Sequence, residues 1–143
     1  MGGHSRNWGE VMDLKDRLKE HEGFEAEIYR CSAGHWTIGF GHKINAHCRI
    51  SPQVADLLLD EDIHLAELRY LSLGWALDRA RRDVIIEMIF WFGFRGLLRF
   101  KKTIAAIEKQ DWGTAANEMI DSQAGRNYYT RMSELAEIMR NGA

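Results

Sequence analysis

A carboxyl, a thiol and a hydroxyl follow one another at Glu22, Cys31 and Thr37, inside the stretch "HEGFEAEIYRCSAGHWTIGFGH" (residues 21–42). Each type carries its own chemistry. A glutamate where a helix gives way to a cleft is a candidate general acid, because partial desolvation raises its pKa toward neutrality. The ordinary alternative is a solvated glutamate or one partner of an ion pair, and the chain has 21 acids to supply such residues. A thiol acts as nucleophile or base only when a neighbour lowers its pKa, and otherwise behaves as a small apolar group. A threonine hydroxyl donates and accepts, so it can hold a water, although a β-branched residue on a strand is unremarkable in itself. His35, His42, His47 and Cys48 lack the close paired spacing of a metal site, and "GFG" is too short to cradle a phosphate. No metal or cofactor is expected.

These groups need elements to position them. From about Val11 to Glu20 the stripe Val11, Leu14 and Leu18 predicts a helix, with Gly23 as its stop. "AEIYR", the turn "CSAG" and "HWTIGF" predict a hairpin, and "HKIN" could add a third strand. Ser51 before Pro52 marks a helix start, and apolar spacing carries that helix to about Leu71. Further helices are expected over Arg81 to Phe92, within "LLRFKKTIAAIEKQ", over Trp112 to Ile120 with Asp111 as cap, and near Asn127 to Met139 before Gly142. Strands in the first third and helices thereafter describe an α+β chain, with a small β-rich lobe attached to a helical one. A cleft between two lobes is a common place for a ligand.

The whole chain of 143 residues is long enough for one domain with a real core. Its 45% hydrophobic and 28% charged residues are those of an ordinary globular protein. A formal net charge of −2 gives no basic footprint for nucleic acid. "RARR" and "RGLLRFKK" read as solvated helix faces. Two cysteines, Cys31 and Cys48, are too few for a disulfide framework, and both are expected reduced in a cytoplasmic setting. No signal peptide, anchor or spanning segment is visible.

Taken together, Glu22-Gly23, "IYRC" and "TIGFGH" resemble the catalytic passage of the phage-type lysozymes. That family's pattern is a glutamate, eight residues, an aspartate or cysteine, five residues and a threonine, and Glu22, Cys31 and Thr37 fit it. "ISPQVADLLLDEDI" looks like the family's connecting helix. "RRDVIIEMIFWFGFRGLLRFKKTIAAI", "DWGTAANEMI" and "YYTRMSELAEIMRNG" look like its helical lobe, so the likeness runs from about Leu14 to Gly142. The chain departs from the family in a short segment between His42 and Ser51, in "FWFG" where relatives often read "FNxG", and in Cys31 where aspartate is common.

The resemblance implies one lysozyme-like domain. Its β-rich lobe would be about residues 22–50, its connecting helix about 51–71 and its helical lobe about 75–143 with the N-terminal helix. It implies an inverting N-acetylmuramidase with Glu22 as general acid and Thr37 holding the attacking water. Cys31, with an ordinary thiol pKa near about 8.5, would be mostly neutral and would shape the water site. Arg131 would pair with Glu22, His42 with Asp62, and Phe90 and Thr103 would line the saccharide cleft. The partner would be a peptidoglycan glycan strand, with no nucleic acid and no stable membrane insertion. The protein would act as a monomer, held in the bacterial cytoplasm until a holin gives access to the wall. Were the third strand to fold back beside the hairpin, a disulfide between Cys31 and Cys48 would mask the thiol, but nothing in the sequence suggests an oxidising compartment. The competing reading is a muramidase-derived binding or scaffold domain, kept open by Cys31 and Trp91 and opposed by Glu22 and Thr37.

Overall fold

A computed structural model describes residues 12–142. The predicted start of the first helix at Val11 lies outside them. The described chain runs α1 (Leu14–Glu22), β1 (Glu25–Arg30), β2 (Trp36–Gly39), β3 (His42–Ile44), α2 (Pro52–Leu71), α3 (Arg79–Leu98), α4 (Lys101–Glu108), α5 (Trp112–Asp121), α6 (Gln123–Asn127) and α7 (Tyr129–Asn141). It is mostly helical with one small antiparallel sheet, the α+β class expected. The contacts divide it after Ser51 into two compact units.

In the first unit, the strands lie in the order β1-β2-β3. Tyr29 pairs with Thr37 and Arg30 with Trp36 on one side of β2, while Thr37 pairs with Lys43 and Ile38 with His42 on the other. α1 ends at Gly23, whose φ of 70° suits a residue without Cβ and whose N–H bonds the carbonyl of Lys19. The first hairpin closes through Gly34 N–H to Cys31 O (2.8 Å) and Cys31 N–H to His35 O (2.9 Å). Gly34 takes the left-handed φ of 83° that such a turn demands. The Arg30 guanidinium lies 4.3 Å above its cross-strand partner Trp36 and donates to Gly34 O, tying strand end to turn. Thr37, at the centre of the sheet, is this unit's one fully buried side chain among the described residues.

The second unit is built differently, around a continuous apolar core. Val84, Ile85, Ile86, Met88 and Ile89 of α3 meet Ala115, Ala116 and Met119 of α5 and Met132, Leu135, Ala136 and Met139 of α7. Asp111 caps α5 by accepting the Thr114 N–H. Arg81 closes α7 from a distance, donating to the carbonyls of Met139 (2.7 Å) and Arg140 (3.0 Å) while stacking 4.1 Å from the Trp112 ring. These contacts satisfy carbonyls that a helix end leaves without partners. The predicted helix over Arg81 to Phe92 is longer, and it breaks at Gly93 (φ 74°, ψ 164°) before resuming to Leu98. The short α6 is an addition, started by Ser122, which accepts from Gly125 N–H. The last helix accordingly begins at Tyr129 rather than near Asn127.

Met132 is fully buried where α7 crosses this core. Met132→Ala is expected to lower unfolding stability by about 2–5 kcal/mol, measured by urea denaturation. A change below about 1 kcal/mol would show that the site collapses around the smaller side chain.

Candidate functional site

Cys31 opens the hairpin turn, and the turn itself surrounds its sulfur. Backbone hydrogen bonds from His35, the largest influence, and then Ala33, together with the Thr37 hydroxyl and the positive charge of Lys43, hold the thiol below its ordinary pKa; partial desolvation opposes them. The structure thus moves Cys31 toward thiolate, where residue type alone gave a neutral thiol. Thr37 reaches this cluster from β2. Its hydroxyl donates to His35 O at 2.9 Å, beside the thiol whose pKa it helps to lower. Thr37 is buried and Cys31 half-buried, so the sulfur is the more open of the two.

Glu22 enters from the last residue of α1. Its carboxylate lies against the Cα of Gly41, so a Cβ there would sit 2.8 Å from Glu22 Oε2. Gly41 also holds φ at 77°. The glycine before His42 therefore has two reasons to be glycine: it turns β2 into β3 and leaves space for the acid. Glu22, Cys31 and Thr37 all belong to the first unit. The sheet register and the turn join Cys31 with Thr37 and Lys43, while Glu22 is fixed against Gly41.

His42 of β3 is 3.3 Å from Cys48 through its Nε2. Both cysteines are free thiols, and among the described residues no cluster of three or more His, Cys, Asp or Glu side chains is placed to hold a metal ion. Asp62, the expected partner of His42, lies on α2 in the second unit and borders a surface groove there with Ala66, Ile89, Phe90 and Gly93.

Arg131 lies on α7, in the same unit. Its Nε donates to Glu87 Oε2 at 3.1 Å, and its guanidinium stacks 4.0 Å from the Trp91 ring. Phe90 is half-exposed and shares with Arg131 a groove of about 550 Å³ that also includes Leu59, Ile63 and Glu87. Thr103 does not join that groove. It is buried, at 2% exposure, beneath a separate groove of about 670 Å³ bordered by Arg99, Phe100 and Tyr128. The residues that sequence reasoning missed are Gly41, Lys43, Glu87 and Trp91. Glu87 and Trp91 stand four apart on α3, a spacing that sets both on one helix face, but nothing in the sequence brings Arg131 to that face. Among the described residues, no helix is long and apolar enough to cross a membrane.

The family model described as phage lysozyme matches residues 19–131. A protein of Dictyostelium discoideum named "Probable T4-type lysozyme 1" is 26% identical over 163 aligned positions, covering 92% of this chain and 96% of its own. A second from the same organism, "Probable T4-type lysozyme 2", is 25% identical with the same coverage. An "Endolysin" of Acyrthosiphon pisum secondary endosymbiont phage 1 is 32% identical over 79 positions, covering 53% of this chain and 54% of its own.

Two measurements check the site geometry. Gly41→Ala should displace the Glu22 carboxylate and strain the turn. The ¹³C chemical shift of the Glu22 carboxyl is expected to move, with little loss of helical circular dichroism; an unchanged shift would refute the contact. In a Cys48→Ser background, alkylation of Cys31 by iodoacetamide should reach half its maximal rate at a lower pH in the folded protein than in the urea-unfolded chain, since the thiolate is the reacting form. An equal or higher midpoint in the folded protein would show that the turn does not stabilise the anion.

Proposed function

Because this chain belongs to the phage lysozyme family, matched by the family model over residues 19–131, we propose that it is a glycoside hydrolase. It cuts the β-1,4 bond between N-acetylmuramic acid and N-acetylglucosamine in peptidoglycan. The observation that carries this reading is the hairpin cluster. A thiol driven toward its anion, with a hydroxyl behind it and a carboxyl fixed on the neighbouring glycine, provides the two unlike groups that glycoside hydrolysis needs.

Glu22 carries the proton in this reaction. It gives that proton to the departing glycosidic oxygen as the bond to the anomeric carbon breaks and positive charge develops on the sugar ring. A water attacks from the opposite face, so the configuration inverts. The water must direct a lone pair at the carbon, which leaves its hydrogens to be accepted by the protein. The Cys31 sulfur accepts one of them, more strongly as a thiolate, and takes up the proton as the new C–O bond forms. Thr37 serves the same water site, and its hydroxyl passes between His35 O and the sulfur as the sulfur's charge changes. Phe90, half-exposed on α3, contacts the glycan. No resident cofactor is required.

The same reading makes the protein an endolysin. It accumulates as a monomer in the host cytoplasm and reaches the wall through holin lesions to lyse the cell. The relative named "Endolysin" supports that setting.

Purified peptidoglycan provides the test. The native protein is expected to release reducing ends, with the α-anomer appearing first by NMR. Glu22→Gln should lower the rate by about 10²-fold or more while leaving the circular dichroism unchanged. Cys31→Ser, which cannot take up the water's proton at neutral pH, is expected to lower the rate by about 10²-fold; a rate within about tenfold of native would show that the side chain only positions the water. Binding of peptidoglycan without reducing-end release by the native chain would replace this reading with that of a binding domain.

A further inference from the structure

Beyond β3 the chain turns back on itself. Cys48 N–H donates to Asn45 O at 3.0 Å, and His47 N–H donates to Asn45 Oδ1 at 2.9 Å, so the asparagine holds the turn with backbone and side chain together. The turn returns Cys48 to His42, six positions earlier, and leaves Sγ 3.3 Å from the imidazole Nε2. His42 is itself fixed by the sheet, where it pairs with Ile38 of β2. Both side chains are exposed, and Cys48 is a free thiol. Lys43 sends its charge toward Cys31, and successive strand residues face opposite ways, so that charge lies away from His42.

We propose that His42 and Cys48 form a two-ligand site for a zinc-class divalent ion, at the start of the loop that follows β3. The separation of the two atoms selects the ion. Thiolate sulfur and imidazole nitrogen bind zinc at about 2.3 Å and about 2.0–2.1 Å, so a tetrahedral ion holds them about 3.6 Å apart and a linear one about 4.4 Å. A pair at 3.3 Å is close to the first arrangement and far from the second, which favours zinc(II) over linear copper(I). Binding replaces the hydrogen bond: Sγ loses its proton to solvent, and Nε2 offers its lone pair while the ring proton stays on Nδ1. Water fills the two remaining positions, since among the described residues no third His, Cys, Asp or Glu is placed to join. A site of this kind holds its ion less tightly than three or four protein ligands do, and exchanges it readily. Its effect is local, tying the loop to β3 directly after Gly41. The two thiols thus divide their tasks, Cys31 serving the hairpin turn and Cys48 the ion.

Cobalt(II), added to the reduced native protein in chelator-free buffer, is the probe. A thiolate-to-cobalt charge-transfer band is expected in the near ultraviolet, saturating at about one ion per chain and displaced by zinc(II). The band should vanish in Cys48→Ser and persist in Cys31→Ser. In His42→Ala half-saturation should need at least about tenfold more cobalt, since even an outer-shell partner of a metal ligand is worth about 10–100-fold. Absence of the band from the native protein would overturn the proposal. So would a band lost in Cys31→Ser but kept in Cys48→Ser, or an affinity unchanged in His42→Ala, which would mean binding by a thiol alone. Should His42→Ala fail to fold, the ¹⁵N shift of His42 Nε2 in the native protein decides: it should move on adding zinc(II), and a fixed shift overturns the site. None of these readings depends on hydrolytic activity, so failure of the proposed function leaves them unchanged.

Discussion

Thr37 gives its hydroxyl hydrogen to the carbonyl of His35, and the same carbonyl accepts the amide of Cys31 at 2.9 Å. This short circuit is closed by backbone as much as by side chains, and the first unit depends on it. Three strands of six, four and three residues cannot enclose an apolar core, and Thr37 is the one side chain they bury completely among the described residues. The turn geometry therefore has to come from hydrogen bonds and from glycines with positive φ. Gly34 permits the turn around Cys31, and Gly41 permits both the next turn and the seat of Glu22. The chemistry and the local fold use the same few atoms, so neither can be altered alone.

The second unit solves the opposite problem. Its core is continuous and its helices can be long, so it can hold a charged side chain in place by packing around it. Arg81 and Arg131 show two forms of the same device. Each guanidinium stacks on a tryptophan and spends Nε on an acceptor from a distant helix. Arg81 uses its remaining donors on the end of α7 and Asp78, and so becomes structural. Arg131 leaves its terminal nitrogens open. The break at Gly93 ends the first half of α3 just after Trp91 and Phe92, and the stacked ring pair belongs to that break.

Much of this was legible because local rules wrote it. Gly23, the "CSAG" turn, the Ser51-Pro52 start, Asp111 as cap and Gly142 as stop each mark an element boundary that the structure keeps within a residue or two. The class of the fold followed from where the strands and helices fall. Local rules failed where a contact joined residues far apart in sequence. Arg131 and Glu87 are separated by 44 positions, so no periodicity could pair them. The predicted helix stops at Phe92, where Gly93 breaks it, but its resumption to Leu98 carries no local signal. The pKa direction of Cys31 was hidden for a different reason: it arises from amide groups, which every sequence has and none displays.

In the motif that the sequence resembles, either an aspartate or a cysteine stands at the position of Cys31. A carboxylate is ionised at neutral pH without assistance, whereas a thiol must be helped into its anion. Were the help to come from a dedicated side chain, exchanging the two residues would require a second exchange elsewhere. Here the larger part comes from the backbone of the hairpin turn, with a hydroxyl and the charge of Lys43 as lesser contributions. A turn that presents amides to whatever anion occupies its first position accepts oxygen or sulfur on the same terms.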